Sequence, residues 1–132
     1  MSKKIILLFI AVLFVSSAAF PQTTQKLRLT RGRGEAGPLV ATAVRGNLAN
    51  KNYRDYTFSI PKPRGAEITV ETISGKTVLF EVISPKKKSI IKDGSEIMDD
   101  LPNAGTYTIR VYRTKDSADG KSAFRLSIWM YI

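Results

Sequence analysis

The sequence contains no cysteine and no histidine among its 132 residues. Without cysteine the chain cannot form disulfides, Cys-ligated zinc sites, iron–sulfur clusters or thiol nucleophiles. Without histidine it lacks the commonest general base and the main protein ligand of transition metals. These two absences argue against an enzyme, so we expect no catalytic residues, no metal site and no cofactor.

Acidic residues are also scarce, since 11 Asp and Glu stand against 21 Lys and Arg. Asp99-Asp100 is the only adjacent acidic pair, and two neighbouring carboxylates can help to bind a hard cation. An exposed turn is the preferred interpretation of this pair. Gly32 and Gly34 are followed neither by a helical pattern nor by the Lys-Ser/Thr of a phosphate-binding loop, so a nucleotide site of that kind is not indicated.

The N-terminus has the three parts of a secretory signal peptide. Two lysines precede an unbroken apolar run at residues 5–15, and small residues follow at 16–19. The run is shorter than the roughly 20 apolar residues that a membrane-spanning helix needs. We therefore predict a signal peptide over residues 1–19, cleaved before Phe20, and an exported protein that is periplasmic or extracellular. A retained N-terminal anchor is the alternative.

The chain is strongly basic. Beyond the predicted signal peptide 19 basic residues remain against 11 acidic ones, a net charge of +8. The basic residues include three local groups: Lys26-Arg28-Arg31-Arg33, Lys86-Lys87-Lys88 and Arg110-Arg113-Lys115. Such an excess favours anionic partners, which include anionic glycans, lipids and acidic protein faces. Nucleic acid is disfavoured, because aromatic residues are not interleaved with the basic ones and the protein is expected to be exported.

Alternation of apolar and polar residues predicts strands throughout, and no window has helical periodicity. Seven or eight short strands separated by turn residues indicate an all-β fold, a single antiparallel β-sandwich or jelly-roll-like domain over residues 26–132. A flexible lead-in is expected at 20–25. Residues 92–100 are expected to form a loop. The last two strands, which contain residues 107–112 and 124–132, are expected to pair as a hairpin.

The aromatic residues divide into two groups. Those on predicted inward strand faces are assigned to the core: Tyr56, Phe58, Phe80, Tyr107 and Phe124. Trp129 and Tyr131 fall on the outward face of the last strand, near Tyr112. If no second layer covers these three side chains, they form an exposed aromatic patch that marks a contact site.

Three segments carry a family resemblance. YTF at 56–58 leads through a Pro/Gly turn to AEITV at 66–70, LPNAGTYTIRV occupies 101–111, and FRLSI occupies 124–128. In order and spacing these segments resemble the periplasmic inhibitors of goose-type lysozyme and, more loosely, the pre-peptidase C-terminal β-sandwiches. The resemblance implies a secreted β-sandwich whose surface loops block the substrate cleft of a lysozyme.

The same resemblance implies where a partner is contacted. In the family, a Tyr in the loop before the YTF strand and two Arg in the loop after the RV strand bind the enzyme. The guanidinium fork suits the bidentate engagement of carboxylates. Here the nearest aromatic residue is Tyr53, while Lys115 and Asp119 occupy the two Arg positions. The candidate partner-binding residues are therefore Lys51, Tyr53, Arg113, Lys115 and Lys121.

Two functional hypotheses follow. The first is an exported, non-enzymatic binding protein that blocks a lysozyme with these loops. The second is a cell-envelope binding module that recognises anionic glycan, lipid or a partner protein through its basic surface. The two differ in where residues cluster. Convergence of the candidate residues on one loop edge favours the first, and a broad basic face beside Trp129 favours the second.

Overall fold

The computed structural model describes residues 24–49, 53–114 and 120–131. The predicted signal peptide at 1–19 lies outside these residues. Within them the chain forms ten strands: β1 (Thr24–Lys26), β2 (Thr30–Gly34), β3 (Gly37–Ala49), β4 (Tyr53–Ile60), β5 (Arg64–Ser74), β6 (Val78–Ile83), β7 (Ser89–Gly94), β8 (Glu96–Leu101), β9 (Gly105–Arg113) and β10 (Lys121–Tyr131). β1 begins inside the segment expected to be a lead-in.

The strands form two five-stranded sheets, and the predicted all-β sandwich is confirmed. The first sheet has the order β1-β4-β9-β6-β7 and the second the order β2-β3-β10-β5-β8. Every pairing is antiparallel except that of β1 with β4, which is parallel. The sequence predicted seven or eight strands because β1 and β2 have no large apolar residue and β8 contains three acidic ones.

The predicted hairpin of the last two strands is wrong. β9 lies between β4 and β6 in the first sheet, whereas β10 lies between β3 and β5 in the second. Their alternation is real, because both strands bury one face against the same core. Alternation identifies the buried face of a strand but does not select its neighbour.

The core lies between the sheets, and the five aromatic residues assigned to it are confirmed there. Their exposed fractions are between 0 and 1 %. Tyr56 of the first sheet packs edge-on against Phe124 of the second, with ring centroids 6.2 Å apart. Phe58 stacks on Tyr107 at 5.7 Å within the first sheet. Aromatic pairs in these geometries stabilise a core beyond the area that they bury.

Residues 92–100, expected to form a loop, belong largely to two edge strands. β7 ends at Gly94 and β8 begins at Glu96, where each strand pairs with one neighbour only. β8 is mostly exposed, and Asp99 and Asp100 lie within it rather than in a turn. Charged side chains are common on edge strands because they discourage pairing with another chain, and this made β8 resemble a loop in the sequence.

Candidate functional site

Three connections have their described ends at one end of the sandwich, which we call the loop end: Ala49 and Tyr53 for the first, residues 74–78 for the second, and Arg113 and Lys121 for the third. Lys121 pairs with Ala49 at the end of β3, which brings the third connection beside the first. The backbone N–H of Thr114 donates to the carbonyl of Thr77 at 3.2 Å, which joins the third connection to the second. The strand ends that flank the loops predicted to contact a partner therefore lie close together. Lys51 and Lys115 themselves lie outside the described residues.

Arg113 lies at the loop end but points inward. Its side chain is only 6 % exposed, on the same face of β9 as Val111. One terminal nitrogen donates to the carbonyl of Gly120 at 2.6 Å. This bond ties the start of the connection between β9 and β10 to its end. The burial leaves little of Arg113 for a partner to touch, so its role at this end is to position the connection.

Tyr53 begins β4 on the outer face of the first sheet. The guanidinium of Arg110 lies 4.2 Å from its ring centroid. The same guanidinium donates to both carboxylate oxygens of Asp55, at 2.9 and 3.0 Å. The hydrogen bond to Asp55 raises the pKa of Arg110 above its usual value, so the group remains charged. Tyr53 is thus held by a charged neighbour and presents a partly exposed ring.

Nothing in the sequence alone indicates this support for Tyr53. Asp55 and Arg110 lie directly opposite each other across β4 and β9, and Tyr53 is two residues before Asp55 on the same face. The residues are 55 positions apart in the chain. Without knowing that β4 and β9 are neighbours, the sequence offers no means of pairing them.

Ile73 is a further residue at the loop end that the sequence did not single out. The register between β5 and β10 shifts at this point, since Phe124 pairs with Thr72 and Ala123 with Ser74. Ile73 is therefore the unpaired residue of a β-bulge, and its side chain is 47 % exposed. Bulges commonly re-aim a side chain. Here the bulge places an apolar side chain at the loop end.

Lys121 and Lys76 supply positive charge at the loop end. Both side chains are exposed. The carbonyl of Lys76 accepts a hydrogen bond of 2.7 Å from the hydroxyl of Ser122, which fixes the two lysines in neighbouring segments. Together with Ile73 and Tyr53 they give the loop end an apolar residue, an aromatic ring and two cations.

The predicted aromatic patch is corrected by the topology. Tyr112 lies on β9 in the first sheet, whereas Trp129 and Tyr131 lie on β10 in the second. Each projects from the outer face of its own sheet, so Tyr112 is separated from the other two by the full sandwich. The sequence assigned all three to outward faces, but it did not establish that the two strands belong to different sheets.

Tyr112 is instead engaged with Asp93 of β7. The backbone N–H of Asp93 donates to the Tyr112 hydroxyl at 2.9 Å, and that hydroxyl donates to the Asp93 carboxylate. Burial raises the pKa of Tyr112 to about 12, and the hydrogen bond to the carboxylate acts in the same direction. This pair attaches the edge strand β7 to β9 across β6.

Trp129 and Tyr131 line a groove of about 440 Å³ on the outer face of the second sheet. Their rings meet edge-on, with centroids 5.1 Å apart. The other lining residues are Gly65, Ala66, Glu67, Met98, Asp99 and Asp100. The charged residues that line this groove are therefore all acidic. The groove itself does not supply the basic surface beside Trp129 that would favour the second hypothesis.

Neither a metal cluster nor a membrane helix is found in the part of the chain that the structure describes. There, no group of three or more Asp, Glu, His or Cys side chains is placed to hold a metal ion. Within the same residues no helix is long and apolar enough to cross a bilayer.

Comparison with known proteins places the fold among those that the sequence resembles. No protein-family model matches the chain, and no curated protein matches it by sequence. Solved structures do match. A periplasmic inhibitor of g-type lysozyme, PliG from Aeromonas hydrophila, superposes with a TM-score of 0.64 at 18 % identity, covering 83 % of this chain and 96 % of the inhibitor.

Two further structures agree. The pre-peptidase C-terminal domain of a Bacillus anthracis collagenase gives a TM-score of 0.59 at 17 % identity, over 83 % of this chain and 97 % of the domain. PliG from Salmonella Typhimurium gives 0.58 at 16 % identity, over 82 % of this chain and 97 % of the inhibitor. The described strands therefore have the β-sandwich fold shared by g-type lysozyme inhibitors and pre-peptidase C-terminal domains.

Proposed function

We propose that this protein is an exported, non-enzymatic inhibitor that binds a goose-type lysozyme through its loop end. The observation that carries the proposal is that the described ends of three connections meet at one end of the sandwich, where Lys121 pairs with Ala49 and Thr114 donates to Thr77. The structural likeness to two PliG inhibitors supports it. A rigid sandwich that presents loops at one end can insert them into a cleft with little loss of conformational freedom.

The chemistry of the loop end suits such a partner. Ile73 is an exposed apolar side chain of the kind that anchors interfaces once it is desolvated. Lys76 and Lys121 provide positive charge for the acidic groups of a glycosidase cleft. Tyr53 adds a ring held in place by Arg110. Arg113 acts indirectly, through its bond to Gly120.

An inhibition titration of the exported protein tests the proposal. Goose-type, chicken-type and invertebrate-type lysozymes are each titrated, with lysis of a cell-wall substrate as the readout. We expect stoichiometric loss of activity for the goose-type enzyme. Absence of inhibition of all three classes at high molar excess would rule the function out.

Variants locate the interface. Ile73→Ser and Lys121→Glu are each expected to weaken inhibition about tenfold or more, which corresponds to 1.4 kcal/mol of binding free energy. Lys86→Glu is the matched control, because Lys86 is exposed in the turn between β6 and β7, at the opposite end of the sandwich. If Lys86→Glu weakens inhibition as much as Lys121→Glu, the effect is one of net charge and the loop end is not the interface.

A further inference from the structure

A cavity of about 270 Å³ opens between the sheets at the end opposite the loop end, which we call the far end. Residues from five strands and two connections line it: Leu29, Arg31, Val40, Ser59, Ile60, Pro61, Arg64 and Met130. Its position is fixed by the end of β4 at Ile60 and the start of β5 at Arg64. None of the residues discussed for the loop end takes part in it.

The inner wall of this cavity is apolar. Val40 and Met130 are direct neighbours across β3 and β10 in the second sheet, and Ile60 faces them from the first. Ile60 and Met130 belong to the buried core, while Leu29 and Val40 are partly buried against it. An apolar group entering the cavity would therefore extend the hydrophobic core, which is favourable in proportion to the area removed from water.

The rim of the cavity is cationic. Arg31 and Arg64 both line it. A second cavity of about 510 Å³ adjoins it, since Leu29 and Ser59 line both, and this one adds Lys26 and Arg28. Among the described residues that line the two cavities, none is Asp or Glu. The four basic side chains, three arginines and Lys26, therefore give the mouth of the two cavities a positive potential.

Arg64 gives a further indication of a ligand. Its Nε is buried, and no described residue accepts a hydrogen bond from it. A buried donor without an acceptor is destabilising, and more so when the group is charged. An anion at the cavity rim could accept this bond once the Arg64 side chain turns Nε toward it. The guanidinium fork then matches the planar oxygens of a carboxylate or the tetrahedral oxygens of a phosphate.

From these observations we propose that the far-end cavity binds an amphipathic anion, a carboxylate or phosphate that carries an apolar tail. The anionic group lies against Arg31 and Arg64, and the tail packs on Leu29, Val40 and Met130. A free fatty acid and a membrane lipid share this chemistry. The proposal also gives a binding role to the basic cluster at residues 26–33, which takes no part in the proposed lysozyme interface.

Calorimetric titration of the exported protein with three probes tests the chemistry. Octanoate carries both features, 1-octanol has the tail without the charge, and inorganic sulfate has charge without the tail. We expect octanoate to bind at one site with a Kd about tenfold or more below that of either other probe. If octanoate fails to bind, or binds no more tightly than sulfate, the proposal is overturned.

Substitutions test the location. Arg64→Gln is expected to raise the octanoate Kd about tenfold or more, and Arg31→Gln several-fold, because its exposed charge is more screened. Arg45→Gln is the matched control, since Arg45 is exposed on the outer face of the second sheet and loses the same charge. If circular dichroism shows that Arg64→Gln does not fold, the octanoate Kd of Arg31→Gln alone tests the location. Unchanged affinity in the folded arginine variants overturns the proposal.

Sedimentation with phosphatidylglycerol vesicles separates the two sources of ligand. Co-sedimentation that Arg31→Gln abolishes identifies a membrane lipid as the source, whereas octanoate binding without vesicle binding identifies a free acid. Lysozyme inhibition is expected to be unchanged by both arginine substitutions, because the loop end lies at the other end of the sandwich. The failure of one proposal is thus distinguishable from the failure of the other.

Discussion

The guanidinium of Arg110 lies over the ring of Tyr53, 4.2 Å from its centroid, while its Nε and one terminal nitrogen donate to the carboxylate of Asp55. One side chain thereby makes a cation–π contact with a ring and two hydrogen bonds to a carboxylate. Arginine can do both because its flat guanidinium stacks on a ring face and carries its hydrogen-bond donors at its edge. This arrangement orients Tyr53 at the loop end before any partner binds.

Arg110→Lys tests this arrangement. Lysine keeps the charge but loses the bidentate bond to Asp55 and the flat contact with Tyr53. We expect the free energy of unfolding to fall by about 1 kcal/mol, as measured by urea denaturation. Arg45→Lys is the control, since Arg45 is exposed and is expected to change stability by less than about 0.5 kcal/mol. Equal effects of the two substitutions would show that the stacked geometry contributes nothing.

Arg113→Gln tests the positioning role of Arg113. The variant removes the charged donor to the Gly120 carbonyl. Hydrogen bonds from charged groups contribute about 1.5–3 kcal/mol, so we expect a loss of stability of that order in urea denaturation.

A second readout distinguishes positioning from contact. Inhibition by Arg113→Gln should weaken through a faster dissociation rate, and Arg113→Lys should restore part of it, because the ammonium can still donate to a carbonyl. Lys121→Gln is expected to leave stability within about 0.5 kcal/mol of the wild type, since Lys121 is exposed. If Arg113→Gln proves as stable as Lys121→Gln, the bond to Gly120 does not brace the connection.

The alternation of apolar and polar residues within each strand predicted which side chains face the core. It did not predict which distant strands lie next to each other. The inward faces around Tyr56, Phe80 and Phe124 were predicted correctly, because every second residue in each of these strands is apolar. The separation of Tyr112 from Trp129 was not predicted, because alternation does not say which sheet a strand joins.

The same limit applies to the candidate sites. Tyr53 and Lys121 were named from the family resemblance, and the structure places both at the loop end. Ile73 could not be found in this way, because its exposure follows from a register shift between β5 and β10. The residues that line the far-end cavity are likewise distant in the sequence, from Leu29 to Met130, and only folding brings them together.

Gly46→Ala is predicted to destabilise the core. A Cβ at residue 46 would lie 2.5 Å from Cζ of Phe124 and 2.8 Å from the hydroxyl oxygen of Tyr56. Both rings are fully buried, so neither can move aside without disturbing the packing between the sheets. Overpacking of this kind costs about 1–3 kcal/mol, measured as a lower free energy of unfolding.

Gly32→Ala is the control for that substitution. A Cβ at residue 32 would lie 3.4 Å from the nearest atom, a methyl carbon of Leu39, which is an ordinary contact. We expect a change of less than about 0.5 kcal/mol, since residue 32 lies in an exposed edge strand. A comparable loss of stability in both variants would mean that the approach of Phe124 to Gly46 is not the cause.

The Tyr112–Asp93 pair predicts how stability changes at alkaline pH. The pKa of Tyr112 is raised from 10.0 to about 12 in the folded protein. Below pH 10 the hydroxyl is protonated in both states, and its contribution to stability is fully present. Between pH 10 and about 12 the unfolded chain loses this proton while the folded protein retains it, so stability falls as the pH rises.

Urea denaturation at pH 9 and at pH 11 checks this prediction. Tyr112→Phe is expected to be less stable than the wild type at pH 9, because it loses both hydrogen bonds with Asp93. Its deficit should narrow at pH 11, because the wild type has lost part of the Tyr112 contribution by then. Tyr131→Phe, which leaves the Tyr112–Asp93 pair intact, should show no such narrowing. A Tyr112→Phe deficit of the same size at both pH values would mean that burial and the bond to Asp93 do not raise the pKa of Tyr112 in the folded protein.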